Sequence, residues 1–465
     1  MGSQKNAKLY TRRDFLRTAG LTAAAAALAR CAPAAEAPAV EAPAATATPA
    51  PTQAPAVESP VTLKFNGWTF QPETVREFLD IFEEENPGIK VEYEDFPFGE
   101  YNDKLLTLFA AGNPPDVMYV HESVINSWAT AEFIQPVDGM PGVEEEASVM
   151  YPWAKDLFTV DGQLYGLPYY SGTRIWSWNS AHLDQVGMNE EPRLLSDVKD
   201  QCMAVKEAGI VEYPLVLGLT KRATYWAWYG MLYGAGAELF DDDLNPLFPD
   251  QDTAMLGLLT WLRDAMQTWE ILDPVSIEYH VGQSRDAFVA GQNSETVISQ
   301  YETRYVRDPE VSQVADTVAV GFIPTLSDPS FRSSVAFSHL YGVSSKAEDV
   351  DAAYKLVYFL GSKNKAGEPF CAREWFLRHG LGFAYPALWD DSAIAEAVKP
   401  WGDLEKLKEQ KMVAQARKGV KAAWFPEWDD FTQGKIQEAV LDRVEPESAL
   451  QQAKDKWNEL KEEFA

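Results

Sequence analysis

Cysteine is nearly missing from this chain: three residues in 465, at positions 31, 202 and 371. Two of them in the body cannot make a disulfide framework. They leave one bridge between Cys202 and Cys371, or two buried free thiols. Basic residues are also scarce, 40 against 70 acidic ones, for a formal net charge of −30. A surface this acidic offers no electrostatic footprint to nucleic acid and none to anionic lipid. The excess acid fits solubility outside the cell. Beyond residue 60 no apolar run approaches the roughly 20 residues that a bilayer crossing needs. Nucleophile elbows (Gly-x-Ser-x-Gly), the His-Glu-x-x-His zinc motif and phosphate loops are all absent. The five histidines, at 121, 182, 280, 339 and 379, are scattered. Asp241-x-Asp243-x-Asn245 starts like a calcium loop, but Pro246 stands where that loop requires glycine. No cofactor and no metal are expected.

What is present begins with "TRRDFLRTAGLTAAAAALARCAPAA". Lys5, Lys8, Arg12, Arg13 and Arg17 form a positive leader ahead of an apolar segment from Ala19 to Ala29. The segment is about a dozen residues, too short to span a membrane, so residues 1–31 read as an export signal. The Arg12-Arg13 pair resembles a twin-arginine signal. Cys31 resembles the lipid-modified cysteine of bacterial lipoproteins, although Arg30 stands where a small residue is usual. The alternative is cleavage after "ALA" at residues 27–29. Residues 32–60 are mostly alanine and proline with no aromatic side chain. They cannot bury enough to offset ordering entropy, and they read as an extended tether reaching roughly 90 Å.

The body of roughly 400 residues is long enough for two domains. "VTLKFNGW" alternates as a strand. In "QPETVREFLDIFEEENPG", Val75, Phe78, Leu79 and Phe82 mark one helix face, with Pro72 near its start. "IKVEYEDF" alternates again, "YNDKLLTLFAAGN" reads as a helix ended by Gly112, and "PPDVMYV" as a third strand. Strands separated by helices imply a largely parallel sheet with helices on both faces. "YGLPYYSGTRIWSWN" reads as a strand through a bend. Further helices are expected at 196–208, 223–234, 253–269, 283–290, 349–361 and 432–442, and strands at "ETVISQY" and "VAVGFIP".

The order of these pieces resembles the extracellular solute-binding proteins of bacterial ABC importers, the maltose-binding-protein-like sugar binders. The carriers are "LKFNGW…FEEENPGIKVEYE", "YNDKLLTLFAAGNPPDVMYV", "FIQPVD", "DGQLYGLPYY…WN", "AFVAGQNSETVISQY" and "VGFIPTL…YGVSSKAEDVDAAYKLVYFL", in the family's order over residues 61 to 460. The chain departs from the family at "SHLYG" and "GQNSETV". The resemblance implies an α/β, two-lobed periplasmic-binding-protein fold (type II-like). Each lobe would be a mostly parallel sheet flanked by helices, with hinge crossings near 169–172, 318–322 and 367–373. The N-lobe would be 61–169 plus 323–368 and the C-lobe 172–317 plus 374–465. It also implies a monomer outside the cytoplasm that binds a sugar or oligosaccharide between its lobes. The protein would deliver that ligand to ABC permease transmembrane subunits, anchored on the membrane if Cys31 is lipidated. A non-sugar solute (polyamine, peptide, glycerol phosphate) and a secreted glycoside hydrolase are the alternatives, and no catalytic residue is assigned.

Fifteen tryptophans, 19 tyrosines and 23 phenylalanines are more than packing alone demands, and aromatic faces suit the apolar face of a sugar ring. On the resemblance, the ligand-binding candidates are Trp68 and Thr69 at the end of the first strand, and His121 and Glu122 at the end of the third. Tyr170 and Ser171 lie at the first crossing and Tyr225 and Trp228 in "ATYWAWYG". Tyr301 follows "VISQ", His339 and Tyr341 flank the altered turn, and Trp428 lies in "WFPEWDDF". Trp226 competes with Trp228 for the same helix face. Trp176, Trp178, Trp261 and Trp269 are expected in the core, and the acidic runs at 144–146 and 241–243 on solvated faces.

Overall fold

The computed structural model describes residues 60–221 and 224–464, without the side chains of 224–226. The signal, the tether, Cys31 and the side chains of Tyr225 and Trp226 lie outside the described residues. Eight strands carry the fold: β1 (Val61–Trp68), β2 (Ile89–Phe96), β3 (Val117–His121), β4 (Leu167–Asn179), β5 (Leu215–Val216), β6 (Glu295–Ser299), β7 (Val318–Gly321) and β8 (Ser334–Ser344). The helices used below are α1 (Pro72–Glu85), α2 (Phe98–Ala110), α3 (Leu195–Glu207), α4 (Thr224–Gly234), α5 (Leu404–Met412), α6 (Phe425–Val440) and α7 (Pro446–Phe464).

The first two strands and α1 fall where the periodicity puts them. Helix α1 begins with Pro72, whose missing N–H costs nothing in the first turn, and buries Val75, Phe78, Leu79 and Phe82. Each such side chain is worth about 1.5–3 kcal/mol when fully buried. Gly112, at φ 72°, takes the left-handed conformation just past α2.

The strands join in the order β2-β1-β3-β8-β4-β6-β5, with β7 pairing β4. The expected parallel pairing holds at both ends, β1 with β2 and β3, and β5 with β6. At the centre the sheet is antiparallel, because β8 runs against both β3 and β4, and β4 against β6 and β7. Strand β4 is buried along all 13 residues and β8 along all 11. A strand covered on both faces loses the apolar–polar alternation that flags a half-buried one. The β4–β8 register shifts between His339 and Leu340, where Tyr170 faces His339 and Pro168 faces Leu340. Tyr169 is thereby the extra residue of a bulge, a device that re-aims side chains.

Most buried apolar side chains form one large cluster. A smaller one gathers Ile175, Ile298, Val318 and Val320 with Phe288. Trp176, Trp178 and Trp261 are buried, as expected of core residues, and Trp269 is half-buried against Trp261. Cys202 and Cys371 are both free and buried, which decides between the two readings left open by sequence.

Of the two acidic runs, 241–243 is solvated as expected, with Asp242 and Asp243 exposed, and 144–146 is not wholly so. Glu146, within the run at 144–146, is 2 % exposed and pairs with Lys363 at 2.6 Å, so that run is not a wholly solvated face. In the calcium-like stretch, Asp241 accepts backbone N–H bonds from Asp243 and Asn245. The Lys461 ammonium lies 2.7 Å from the Asp243 carbonyl and 2.8 Å from the Asn245 side-chain oxygen. No helix among the described residues is long and apolar enough to cross a membrane.

Candidate functional site

Sheet register assembles the centre of the site. In antiparallel pairs, directly opposed residues share a face. His339 on β8 stands opposite His121 on β3, and Tyr341 opposite Tyr119. From the other side, β4 brings Tyr170 opposite His339. The two imidazole centroids are 4.4 Å apart. The Tyr170 ring lies parallel to His339, 3° between planes at 5.2 Å, and Tyr301 meets Tyr170 edge-on at 6.0 Å. Glu122 follows His121 directly and is wholly buried. Five candidates from four segments, His121, Glu122, Tyr170, Tyr301 and His339, therefore gather at one place.

Both imidazoles are held neutral. Burial pushes His121 well below its ordinary range, and the Arg417 charge pushes it further. Burial does the same to His339, with His121 and Arg174 adding to it and Glu122 opposing. The Ser123 N–H donates to His121 Nδ1 at 3.1 Å, and the Ser123 hydroxyl lies 2.7 Å from the same nitrogen. An Nδ1 that accepts leaves the neutral ring's proton on Nε2, so His121 offers an N–H donor there. His339 Nδ1 lies 2.7 Å from the Tyr119 hydroxyl.

Charged side chains complete the cluster, and sequence reading missed them. Arg174, on β4, is buried with its guanidinium 4.6 Å from the Phe337 ring centre. Arg417 Nη2 donates to Glu122 Oε1 at 2.8 Å. Asp429 accepts from the Tyr229 hydroxyl at 2.9 Å and from Gln433 at 2.7 Å. Burial raises the Asp429 carboxyl to about 6, with Arg417 opposing. Glu302, adjacent to Tyr301, pairs with Arg285 at 2.8 Å. An arginine in the middle of an otherwise uncharged strand was a usable signal for Arg174. Arg417, in "QARKGV", looks like any surface charge. Trp428 was one residue short of Asp429, the side chain through which that helix enters the cluster.

The donor atoms of His121, Glu122 and His339 lie within 4.8 Å of one another, a spacing that one cation would accept. Arg417 already holds Glu122, and Arg174 adds a second buried positive charge nearby. A divalent ion there would face uncompensated repulsion in a low-dielectric setting. Among the described side chains, Arg417 is offset by Glu122 and Asp429, Arg285 by Glu302 and Asp286, and Arg174 by the nearby charges of Glu302 and Glu122. Such a balance suits an uncharged ligand rich in hydroxyls.

The other candidates lie elsewhere. Trp68 is half-buried and stacked on Phe70 at 5.1 Å and on Tyr119 at 5.9 Å. It lines a narrow aromatic pocket with Tyr119, Tyr169 and Tyr341, next to the cluster. Thr69 is exposed, with its N–H bound to the Phe96 carbonyl. Ser171 is tied into the crossing of strands: its hydroxyl meets Ser338 at 2.5 Å and its carbonyl accepts from Lys411 at 2.8 Å. Trp228 is buried in α4. Trp428 is packed among Phe240, Phe248, Phe425 and Trp457, and its indole N–H donates to the Ala453 carbonyl.

Comparison with known proteins places this geometry. Residues 68–366 match the family model described as bacterial extracellular solute-binding protein. A binding protein of Brucella abortus is 24 % identical over 162 residues, 35 % of this chain and 39 % of the relative. The chain thus spans about two fifths of the length of that curated relative. An arabinooligosaccharide-binding protein of Halalkalibacterium halodurans is 23 % identical over 347 residues, 71 % of this chain and 73 % of the relative. Among solved structures, maltose-bound MalE3 of T. maritima superposes with a TM-score of 0.74 at 19 % identity, covering 86 % of this chain and all of that one. The fold is thus that of the two-lobed binding proteins.

Proposed function

The chain belongs to the bacterial extracellular solute-binding proteins, and on that premise we propose that it is the receptor of an importer for a sugar or oligosaccharide, held at the His121–Glu122–His339 cluster. One observation carries the reading: neutral imidazoles, carboxylates and tyrosines converge there with their charges in balance. Sugar hydroxyls need both donors and acceptors, and each one left unmade inside a closed site is costly. A polyamine would call for a surplus of carboxylates, and a phosphate ester for a surplus of cations. The arabinooligosaccharide-binding relative and the maltose-bound neighbour support the same class.

The mechanism is binding and closure with no bond broken. We place the lobes at 61–169 plus 323–368 and at 172–317 plus 374–465, with the hinge where β4, β7 and the segment 367–373 pass between them. Ligand that touches both lobes favours the closed form, which docks on the permease. Export by the twin-arginine-type signal, a lipid anchor at Cys31 and a monomeric state complete the proposal. The test is a thermal-shift panel of mono- and oligosaccharides against spermidine, a tripeptide and glycerol 3-phosphate. A ligand that binds only the folded state raises the melting point. A saccharide is expected to do so. A shift by one of the other three, with none by a saccharide, overturns the assignment.

A further inference from the structure

Arg417 is fixed from several directions. It lies between the short strand Ala414–Gln415 and the turn Lys418–Lys421, and it is only 2 % exposed. Its guanidinium is 4.9 Å from the Tyr229 ring centre on α4 and 5.2 Å from Phe425 on α6, within cation–π range of both. The turn beside it is anchored by Asn126, whose amide donates to the Val420 carbonyl at 2.8 Å. It is also pressed against aromatic rings: a Cβ added at Gly419 would come within 2.9 Å of Phe240 and 3.0 Å of Phe425. From this fixed position Nη2 holds Glu122 Oε1 at 2.8 Å. The second carboxylate oxygen then lies 3.4 Å from His121 Nδ1 and 3.7 Å from His339 Nδ1.

We propose that Arg417 is the positioning residue of the ligand site. It grips Glu122 by one oxygen and sets the plane of the carboxylate against the two imidazoles, and its charge adds to the burial that holds His121 neutral. The proposal rests on reading the cluster as the saccharide site, and it adds which residue outside the candidate set decides that site's geometry. A lysine cannot replace it, because an ammonium lacks the planar fork that stacks on rings and fixes a carboxylate's orientation. The described groups facing His121 are Glu122 beside it, Tyr119 on β3, His339 on β8 and Arg417, and Arg174 on β4 acts on His339 and Glu122. Asp429 on α6 faces Arg417 in turn.

Two measurements on the full chain test this. In 15N NMR of the imidazoles, His121 is expected to titrate at higher pH in Arg417→Gln than in the wild type, because burial still lowers it but the Arg417 charge no longer does. An unmoved His121 signal overturns the proposal. Arg417→Lys keeps the charge and serves if the glutamine variant does not fold: there His121 stays neutral, while binding of maltotriose or arabinotriose weakens about tenfold or more, the scale of a charge-assisted hydrogen bond. Wild-type affinity in Arg417→Lys overturns the proposal. Calorimetry of Glu122→Gln, Arg417→Gln and the double variant gives the second test. A double variant no weaker than the worse single variant is expected of a residue that acts through Glu122. Fully additive losses overturn that. A moved His121 signal in a protein that binds no saccharide supports the positioning role and counts against the saccharide assignment alone.

Discussion

Two regions of this protein are built from clustered aromatic rings, and they differ in where the polar tips go. Around α6 and α7, Trp428, Trp457, Phe240 and Phe248 pack with centroids 4.1 to 6.0 Å apart. There the indole N–H of Trp428 ends on the Ala453 carbonyl and that of Trp457 on the Leu244 carbonyl. Backbone satisfies both, and the region is a sealed core. At the centre of the sheet, Tyr119, Tyr170, His121 and His339 pack just as closely. Their tips meet one another and sit among buried Glu122, Arg174 and Arg417. Aromatic density is therefore no marker of a ligand site by itself. What sets the second region apart is that its rings lie among buried charges that offset one another.

The comparison breaks if a change in the sealed core reaches the ligand. Trp457→Ala is expected to cost about 3–5 kcal/mol of stability, as large aromatic deletions from cores do. Saccharide affinity should move by much less than the stability does, since Trp457 reaches the Arg417 turn at one remove, through Phe240. Urea unfolding and calorimetry on the same variant check both. Parallel losses in the two would dissolve the distinction.

Burial without a charge partner gives the next effect. Glu295 on β6 takes an N–H bond from Trp176 at 2.7 Å, and burial raises its carboxyl to about 8 from the ordinary 4.5. The folded protein keeps the proton over a range where the unfolded chain has lost it. Stability is therefore expected to fall as pH rises from about 4.5 to about 8, by a few kcal/mol. Glu295→Gln should flatten that part of the profile. A slope that survives the substitution would assign it to other groups, Asp429 first, whose own contribution ends near pH 6.

Smaller changes probe the centre directly. Tyr170→Phe keeps the stacking on His339 and deletes one hydroxyl, so affinity should drop by about 1 kcal/mol with stability nearly unchanged. An unaltered dissociation constant would remove that hydroxyl from the ligand contacts. Smallest of all, Trp68→Leu should lower stability and shift affinity by less than Tyr170→Phe does, since Trp68 is stacked on Phe70 and meets the cluster only through Tyr119. A large loss of affinity would mean that Trp68 leaves this stack to meet the ligand.

Much of the fold was legible before any coordinates. Strand β2 spans the residues that alternate, and α1 buries the four residues that its spacing marked. The candidate site was legible in part. His121, Glu122, Tyr170, Tyr301 and His339 were named and do converge. Ser171 and Trp428 are held in packing, and Arg174, Arg417, Asp429 and Tyr119 were not named. The reason is that a buried charge leaves no periodic trace. Its burial depends on which distant segment covers it, and Arg417 is covered by Tyr229 and Phe425 and paired with a residue 295 positions away.

By itself the sequence determined the local elements, the acidic surface and the family, because hydrophobic period and residue order are written along the chain. Only the tertiary structure decided that His121 stands opposite His339 and that Arg417 meets Glu122. Those facts come from strand register and from contacts between segments hundreds of residues apart, where a shift of one residue would turn every side chain to the other face.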